Sequence, residues 1–333
     1  MAERLLEIKD LAVSFHTAGG KLPALQGISL HIDEGESLGI VGESGCGKSV
    51  TALSILQMTP GTGVIESGDI LYRGRSLLGA PENRKLVRGN RISMIFQDPV
   101  NSLNPVLSVG VQISEVLETH QSMSRKQGMK RAVELLEQVG LPSASKRVKQ
   151  YPHQFSGGMR QRVMIAMALA CAPELLIADE PTTALDVTIQ AQILDLIQEL
   201  CRVNRMALLM ITHDFGIIAQ MAERVMVMYA GRIVEEGAVQ EIFKAPGHPY
   251  SMGLLASMPY FANKNERLTA IRGSVHEGRE WLSGCAFHPR CDFSMPVCLQ
   301  SGPSLYRIGE NRFVRCWRHS PDCPPETAWR GMT

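Results

Sequence analysis

Short apolar segments alternate with helical patterns along most of this 333-residue chain. Apolar residues recur at every second position in residues 5–15 and 27–32, which predicts a pair of antiparallel strands. Further strands are predicted at residues 37–41, 70–72, 92–96, 175–178, 207–211 and 225–229, and helices at residues 48–57, 157–171 and 187–201. Short buried strands that alternate with helices indicate an α/β fold with a mainly parallel sheet whose faces are covered.

Two changes along the chain predict its domain organisation. Between residues 100 and 170 the pattern is helical, so we expect an inserted helical subdomain there. Near residue 245 the composition changes: nine of the eighteen prolines lie at or after Pro246, and five of the eight cysteines lie in the last 49 residues. We therefore predict a globular domain over residues 1–245 and a small loop-rich extension over residues 246–333.

The charge and the longest apolar run exclude two classes of protein. The net charge is +1, from 34 Lys and Arg against 33 Asp and Glu, so no nucleic-acid partner is expected. The longest uncharged apolar stretch, residues 163–173, is much shorter than the ~20 residues that span a bilayer. The first ten residues contain Glu, Arg, Lys and Asp rather than an apolar leader. We expect a cytosolic protein unless a partner holds it at a membrane.

The most specific chemical motif is a glycine-rich loop between a predicted strand and a predicted helix. Its residues fit G-x-x-x-x-G-K-[ST] and are Gly42, Glu43, Ser44, Gly45, Cys46, Gly47, Lys48 and Ser49. The glycines let backbone N–H groups turn toward phosphate oxygens, and the following helix directs its positive end at the same place. Lys48 is expected to reach the outer phosphates and Ser49 to bind Mg²⁺. A chance glycine-rich turn explains this match poorly.

A second motif is the apolar run 175–178, which ends in Asp179 and Glu180. A buried strand that delivers Asp179 beside the phosphate loop would hold Mg²⁺, usually through its water shell. Glu180, one residue further, is placed to orient or deprotonate the attacking water. A strand that ends in Asp-Glu is common by itself, but beside a phosphate loop it predicts nucleotide hydrolysis.

Four further motifs resemble those of ATP-binding cassette (ABC) ATPases. They are Ser156, Gly157 and Gly158 in the run FSGGMRQR, Gln97 in IFQD, Asp186 in ALD and His213 in ITHD, which resemble the signature, the glutamine loop, the D-loop and the switch histidine. The resemblance implies a P-loop NTPase cassette fold. It implies that Gln97 contacts Mg²⁺ and the water, that His213 contacts the γ-phosphate, and that Phe15 stacks on adenine. Phe15 and His213 could instead be core residues, and Asp186 also fits a helix N-cap.

The same resemblance implies a dimer. The signature residues of one subunit would close over the γ-phosphate of ATP that is bound by the phosphate loop of the opposite subunit, with Asp186 at the dimer interface. The runs QDP with SLNP, MYAG, HPY and Met258-Pro259 resemble the dipeptide/oligopeptide/nickel importer branch and its C-terminal extension.

Membership of that branch would make this chain the ATPase subunit that powers import of dipeptides or oligopeptides by ATP-driven dimer closure. The implied partners are a second, different cassette, two transmembrane permease subunits, and a periplasmic or lipid-anchored substrate-binding protein. The chain would then lie peripherally on the cytoplasmic face of the cell membrane. The alternatives are import of nickel or another small solute, a soluble cassette acting on DNA or ribosomes, and a non-enzymatic regulatory module. Intact Glu180 and His213 argue against the last.

The cysteines of the extension have the spacing Cys285-x₅-Cys291-x₆-Cys298-x₁₇-Cys316. In a reducing cytosol, four thiolates brought together need a metal or cluster. Structural zinc sites usually show short C-x₂₋₄-C knuckles, and the wide spacings here suit an iron–sulfur cube better.

The run from Gly284-Cys285 to Pro289-Arg290-Cys291 also resembles the importer extension, whose members can carry a four-iron cluster. We expect a 4Fe-4S cluster on Cys285, Cys291, Cys298 and Cys316, with Cys323 as a spare and with zinc or unligated thiols as alternatives. Arg290 and Arg315, each next to a candidate ligand, are expected to balance the charge of the cluster.

Cys46 gives one further hypothesis. It lies in the phosphate loop near Lys48 and a helix N-terminus, and both features favour a thiolate. The simpler interpretation is that Cys46 stands where a small serine would serve equally.

Overall fold

The structure is a computed structural model that describes residues 3–79, 87–258, 271–274, 284–324, 327 and 329. The strands are β1 Arg4–Thr17, β2 Gly20–Asp33, β3 Ser37–Val41, β4 Gly63–Tyr72, β5 Arg75–Ser76, β6 Ile92–Ile95, β7 Leu175–Asp179, β8 Ala207–Thr212, β9 Arg224–Tyr229, β10 Arg232–Ala238, β11 Tyr306–Arg307 and β12 Phe313–Val314. The α-helices are α1 Lys48–Ile55, α2 Pro99–Ser102, α3 Val109–Gln121, α4 Arg125–Gln138, α5 Ala144–Arg147, α6 Gly157–Leu169, α7 Val187–Asn204, α8 Phe215–Met221, α9 Val239–Lys244, α10 Pro249–Ala256 and α11 Pro296–Gln300.

The chain divides into two compact units, and unit 1 consists of Met1–Glu7, His31–Glu36 and Leu71–Met210. Strands β6 and β7 pair in parallel in this unit. Every residue of β7 is buried, which explains the apolar run at residues 175–178. Helices α2 to α6 lie where the sequence predicts an inserted helical subdomain, and α3, α4 and α6 pack on one another. Helix α4 begins at a capping box formed by Ser124 and Gln127.

Unit 2 consists of Ile8–Leu30, Ser37–Ile70 and Ile211–Thr333. Strand β3 pairs in parallel with β9, which is antiparallel to β10. The β11–β12 hairpin comes from the predicted extension, and β12 pairs antiparallel with β10. The extension therefore continues the sheet of the unit that contains the phosphate loop. The predicted domain boundary near residue 245 stays a prediction, and Pro259 of the extension motif lies outside the described residues.

A buried carboxylate fixes the extension to β10. Glu235 is fully buried and accepts hydrogen bonds from the N–H groups of Gly247, at 2.6 Å, and His248, at 3.0 Å. Its Oε1 also lies 3.2 Å from the Arg312 guanidinium. A buried carboxylate needs such partners because an unpaired charge away from water is costly. This ion pair therefore ties β10, the loop before α10 and the β11–β12 hairpin together.

The predicted elements are largely confirmed, and the differences have local causes. The N-terminal strands form a separate four-stranded sheet in the order β2-β1-β4-β5. The predicted strand at 70–72 is the end of a longer strand, β4. Residues 63–69 were not predicted as part of it, because they are mostly polar or exposed and show no apolar alternation. Strands β5, β10, β11 and β12 were not predicted. Within the described part of the chain, none of the helices is both long enough and apolar enough to cross a membrane.

Candidate active site

The phosphate loop joins buried strand β3 to helix α1 in unit 2. Gly47 immediately precedes the helix at φ 113°, a left-handed conformation that favours glycine. A Cβ at Gly42 would lie 2.2 Å from the carbonyl oxygen of Met228, so the close approach of the backbone requires glycine there as well. The Lys48 ammonium donates to the carbonyls of Gly42, at 2.7 Å, and Glu43, at 3.0 Å. The backbone of the phosphate loop therefore also fixes the position of the Lys48 ammonium.

Burial contradicts the hypothesis of a thiolate at Cys46 and agrees with the simpler interpretation of a small packed residue. This side chain is 1% exposed, and burial raises the pKa of its thiol. The Lys48 ammonium, 4.0 Å from the sulfur, acts in the opposite direction, but its effect is smaller than that of burial. Cys46 is therefore a protonated small residue that packs inside the loop.

The remaining predicted nucleotide contacts of unit 2 are Ser49, Phe15 and His213. Ser49 is the second residue of α1 and is half-buried, and Phe15 lies half-buried on β1. His213 is exposed at the end of β8, directly before Asp214, whose carboxylate accepts the Gly216 N–H at 2.7 Å and so starts α8. The exposure of His213 contradicts the alternative that it is a core histidine.

In unit 1, parallel strands bring two predicted catalytic residues together. Ile95 of β6 lies beside Ala178 of β7, so Gln97 and Glu180 occupy equivalent positions two residues beyond these neighbours. The amide Nε2 of Gln97 donates to Oε2 of Glu180 at 2.9 Å.

Thr183, which was not predicted as a site residue, donates to the same oxygen of Glu180. The distance from its Oγ1 to Oε2 is 3.0 Å. A turn places it there, since its N–H bonds to the carbonyl of Glu180 at 3.2 Å. The backbone of Glu180 is itself in the left-handed region, at φ 46°. For a non-glycine residue this is an uncommon conformation of the kind found at functional sites. Glu180 is therefore oriented by its backbone and by two hydrogen bonds.

Asp179, the last residue of β7, is 4% exposed. A nearly buried carboxylate at the end of a strand suits a hard cation such as Mg²⁺, which prefers oxygen ligands. The half-buried hydroxyl of Ser49 in unit 2 is another oxygen donor of the type that Mg²⁺ takes up with a nucleotide. The donor chemistry of the predicted magnesium ligands therefore fits the ion.

The signature residues and Asp186 lie at two helix starts of unit 1. Ser156 precedes α6, and Ser156 and Gly157 are exposed. A Cβ at Gly158 would lie 2.6 Å from Cγ2 of Ile189, which explains that glycine. The carboxylate of Asp186 accepts the Ile189 N–H at 3.0 Å, so the predicted N-cap of α7 is confirmed. Its role at a dimer interface stays a prediction.

The extension supplies two contacts to the phosphate loop that the sequence does not reveal. Arg290 forms a double hydrogen bond with the carboxylate of Glu43, at 2.6 and 2.8 Å. The Tyr250 hydroxyl accepts the Glu43 N–H at 2.8 Å. The expectation that Arg290 balances charge at the cysteines is therefore wrong, because its guanidinium pairs with Glu43. Burial is the main cause that raises the pKa of the Cys285 thiol, and the charge of Arg232 acts on this pKa in the opposite direction.

Four cysteines of the extension influence one another. Burial is the main cause that raises the pKa of Cys291 to about 11 and of Cys316 to about 12, and the charges of Cys285 and Cys298 act in the same direction on both. Cys323 instead places its sulfur 3.4 Å from the Thr327 hydroxyl. Among the described residues, which include all five of these cysteines, no three His, Cys, Asp or Glu side chains are arranged to hold a metal ion.

Comparison with known proteins gives matches over nearly the whole chain. A family model described as ABC transporter matches residues 25–183, and one described as oligopeptide/dipeptide transporter, C-terminal region, matches residues 234–298. The oligopeptide transport ATP-binding protein OppD of Bacillus subtilis is 52% identical over 324 residues, covering 96% of this chain and 90% of that protein. The dipeptide transport ATP-binding protein DppD of Lactococcus lactis subsp. cremoris is 46% identical, covering 98% of this chain and 94% of that protein.

Solved structures agree with this match. The dimeric post-hydrolysis state of an ATP-binding cassette bound to ADP and Pi is 28% identical, with a TM-score of 0.62, and covers 71% of this chain and 99% of that chain. Together with the loop and strand-end geometry above, these similarities make the protein an ATPase of the ATP-binding cassette class. Within that class the chain belongs to the ABC transporter family, in the branch that carries the oligopeptide/dipeptide C-terminal region.

Proposed function

We propose that this chain hydrolyses ATP to power the import of dipeptides or oligopeptides through a membrane transporter. The observation that carries the proposal is the similarity to oligopeptide and dipeptide transport ATP-binding proteins, which extends over the extension as well as the cassette. Proteins of this kind act with membrane permeases and a substrate-binding protein that select the solute. The chain is then a peripheral subunit on the cytoplasmic face of the cell membrane, with two permeases and a periplasmic or lipid-anchored binding protein as partners.

We assign the chemical step to Glu180 as general base on the attacking water. Gln97 and Thr183 hold its Oε2 by hydrogen bonds of 2.9 and 3.0 Å, so the carboxylate is oriented before the reaction begins. An oriented carboxylate can accept the proton of the water as the oxygen attacks the γ-phosphorus. His213 contacts the γ-phosphate in this assignment, and Phe15 stacks on the adenine.

Ser49, Gln97 and Asp179 would hold Mg²⁺ with the nucleotide. In phosphoryl transfer, the charge that develops on the phosphate oxygens is neutralised by bound Mg²⁺. The protein itself would bind the phosphates through the amides of the phosphate loop, the N-terminus of α1 and the Lys48 ammonium. For this, the Lys48 ammonium would exchange its hydrogen bonds to the carbonyls of Gly42 and Glu43 for bonds to the outer phosphates.

The signature residues act on ATP in the opposite subunit. Ser156, Gly157 and Gly158 present a hydroxyl and backbone amides at the start of α6, where the helix dipole favours an anion. ATP held between two such subunits closes the dimer, and hydrolysis opens it again. The branch commonly pairs two different cassettes, so we assign a second cassette rather than another copy of this chain as the partner.

Cys285, Cys291, Cys298 and Cys316 are the proposed ligands of a 4Fe-4S cluster, although in the described part of the chain they are not arranged to hold a metal ion. Their mutual effect on thiol pKa supports a shared neighbourhood, and four thiolates are the usual donor set for such a cluster. Cys285, Cys291 and Cys298 also fall inside the matched C-terminal region, whereas Cys316 follows it. When bound, the cluster would hold these four chain positions together.

Transport is tested by reconstituting the chain with its partner cassette, the permeases and the substrate-binding protein in proteoliposomes. We expect ATP-dependent uptake of labelled dipeptides or oligopeptides and none with Glu180→Gln in this chain and the equivalent change in the partner. Uptake of Ni²⁺ but not of any peptide in the same vesicles would overturn the peptide assignment and leave the ATPase assignment intact.

The cluster is tested in anaerobically purified protein by iron and sulfide analysis and by absorption. We expect four irons and four sulfides per chain and broad absorption near about 400 nm. Cys298→Ser should lose the iron, whereas the matched control Cys323→Ser should retain it. One zinc per chain without iron would refute the cluster.

A further inference from the structure

The phosphate loop is held from outside by the C-terminal extension. The Arg290 side chain is only 6% exposed and binds both carboxylate oxygens of Glu43, the second residue of the loop. A double hydrogen bond between guanidinium and carboxylate is both strong and directional. The arginine is fixed on its other side, because its Nε donates to the carbonyl of Arg272 at 2.6 Å. The contact therefore joins two segments 247 positions apart in sequence.

Tyr250 makes the second contact. Its ring is fully buried and packs edge-on against Tyr229, with a centroid distance of 4.7 Å. Burial raises the pKa of its hydroxyl, which therefore stays neutral while it accepts the Glu43 N–H. The guanidinium of Arg290 also lies 5.8 Å from the centre of the Tyr229 ring. The two extension residues thus share one aromatic support.

Glu43 connects these contacts to the nucleotide-binding lysine. Its side chain pairs with Arg290, its N–H bonds to Tyr250, and its carbonyl accepts the Lys48 ammonium at 3.0 Å. Glu43 is also a carboxylate in a loop that must bind phosphate, so without Arg290 its negative charge would repel ATP. Pairing with Arg290 both neutralises this charge and fixes the loop backbone.

We propose that Arg290 is a positioning residue for ATP, through which the extension holds the phosphate loop ready to bind. Arg290 lies in a single helical turn, His288–Arg290, between Cys285 and Cys291. The N–H of His288 bonds to the carbonyl of Cys285 at 3.0 Å, and that of Cys291 to the carbonyl of His288 at 3.3 Å. The same turn therefore couples these cysteines to the ATP site, and such coupling acts in both directions.

The first test is a double-mutant cycle on MgATP affinity in the full chain. Arg290→Gln should weaken binding about tenfold, because it leaves the Glu43 carboxylate unpaired beside the phosphates. In a Glu43→Gln background the same change should have much less effect. The matched control is Arg307→Gln. Arg307 is an arginine of the extension whose guanidinium donates to the carbonyls of Gly309 and Glu310 in its own hairpin, so this variant should bind ATP like wild type.

Two further readouts separate positioning from general stability. Arg290→Lys keeps the charge but loses the double hydrogen bond, so its affinity should fall between those of wild type and Arg290→Gln, and it serves if the glutamine variant does not fold. Amide hydrogen exchange in Arg290→Gln should rise over residues 42–46. Unchanged affinity in Arg290→Gln, or additive effects in the cycle, would overturn the proposal.

The coupling is tested on metal-free protein by the alkylation rate of Cys291, measured by mass spectrometry. We expect MgATP to slow this reaction at least about threefold in wild type and to have no effect in Arg290→Gln, as reciprocity requires. Cys323, which lies outside the coupled turn, is the internal control. Equal alkylation rates with and without MgATP would refute the coupling between the cysteines and the ATP site. The double-mutant cycle on MgATP affinity separately tests whether the Arg290–Glu43 contact supports ATP binding.

Discussion

Replacing Glu180 with glutamine should leave ATP binding intact and nearly abolish hydrolysis at this subunit's site. The substitution keeps the size of the side chain and an oxygen that can accept from Gln97 and Thr183, which lie 2.9 and 3.0 Å from Oε2. What it removes is the negative charge and the basicity. The change therefore isolates proton transfer from positioning.

The expected loss is ~10²- to 10⁴-fold in the hydrolysis rate, the usual contribution of a general base. Because each tenfold corresponds to about 1.4 kcal/mol, the barrier would rise by about 3–5 kcal/mol. Loss of a hydrogen bond alone would cost only about 0.5–1.5 kcal/mol. The magnitude therefore distinguishes the loss of a base from the loss of a contact.

The assay is single-turnover hydrolysis in the assembled complex, with the phosphate-loop lysine of the partner cassette replaced so that only this subunit's site turns over. Glu199→Gln, which removes an exposed carboxylate on α7, is the matched control and should keep wild-type rates. A Glu180→Gln rate within about twofold of wild type would refute the assignment of Glu180 as base.

Three further predictions concern the single residues Thr183, Gly42 and His248. Thr183→Val should lower the hydrolysis rate about three- to tenfold with unchanged ATP affinity, since Glu180 loses the hydrogen bond from Thr183 that orients its carboxylate; an unchanged rate would exclude the contact from catalysis. Gly42→Ala should abolish ATP binding in a filter assay, because the added Cβ would lie 2.2 Å from the Met228 carbonyl oxygen. Burial lowers the pKa of His248 from 6.5 to about 3. Between these two pH values His248 is therefore protonated in the unfolded state but neutral in the folded state. The free energy of unfolding should therefore fall by about 2 kcal/mol from pH 8 to pH 5 through this group, with a flatter dependence in His248→Asn.

The sequence by itself determined the phosphate loop and the strand that ends in Asp179 and Glu180. Each of these features is a contiguous stretch in which the residue types needed for the chemistry also specify the local backbone. Glycine permits the left-handed turn at Gly47, and an unbroken apolar run specifies a buried strand. The order and spacing of the remaining motifs were enough to identify the family.

Only the tertiary structure decided which polar side chains meet. Gln97 and Glu180 lie 83 positions apart and come together because their strands are parallel neighbours in register. Glu43 and Arg290 lie 247 positions apart, and an arginine beside a cysteine gave the wrong expectation for its partner. Hydrophobic periodicity records which face of an element is buried, but it contains no information on which single residues pair across elements, because that depends on register and packing.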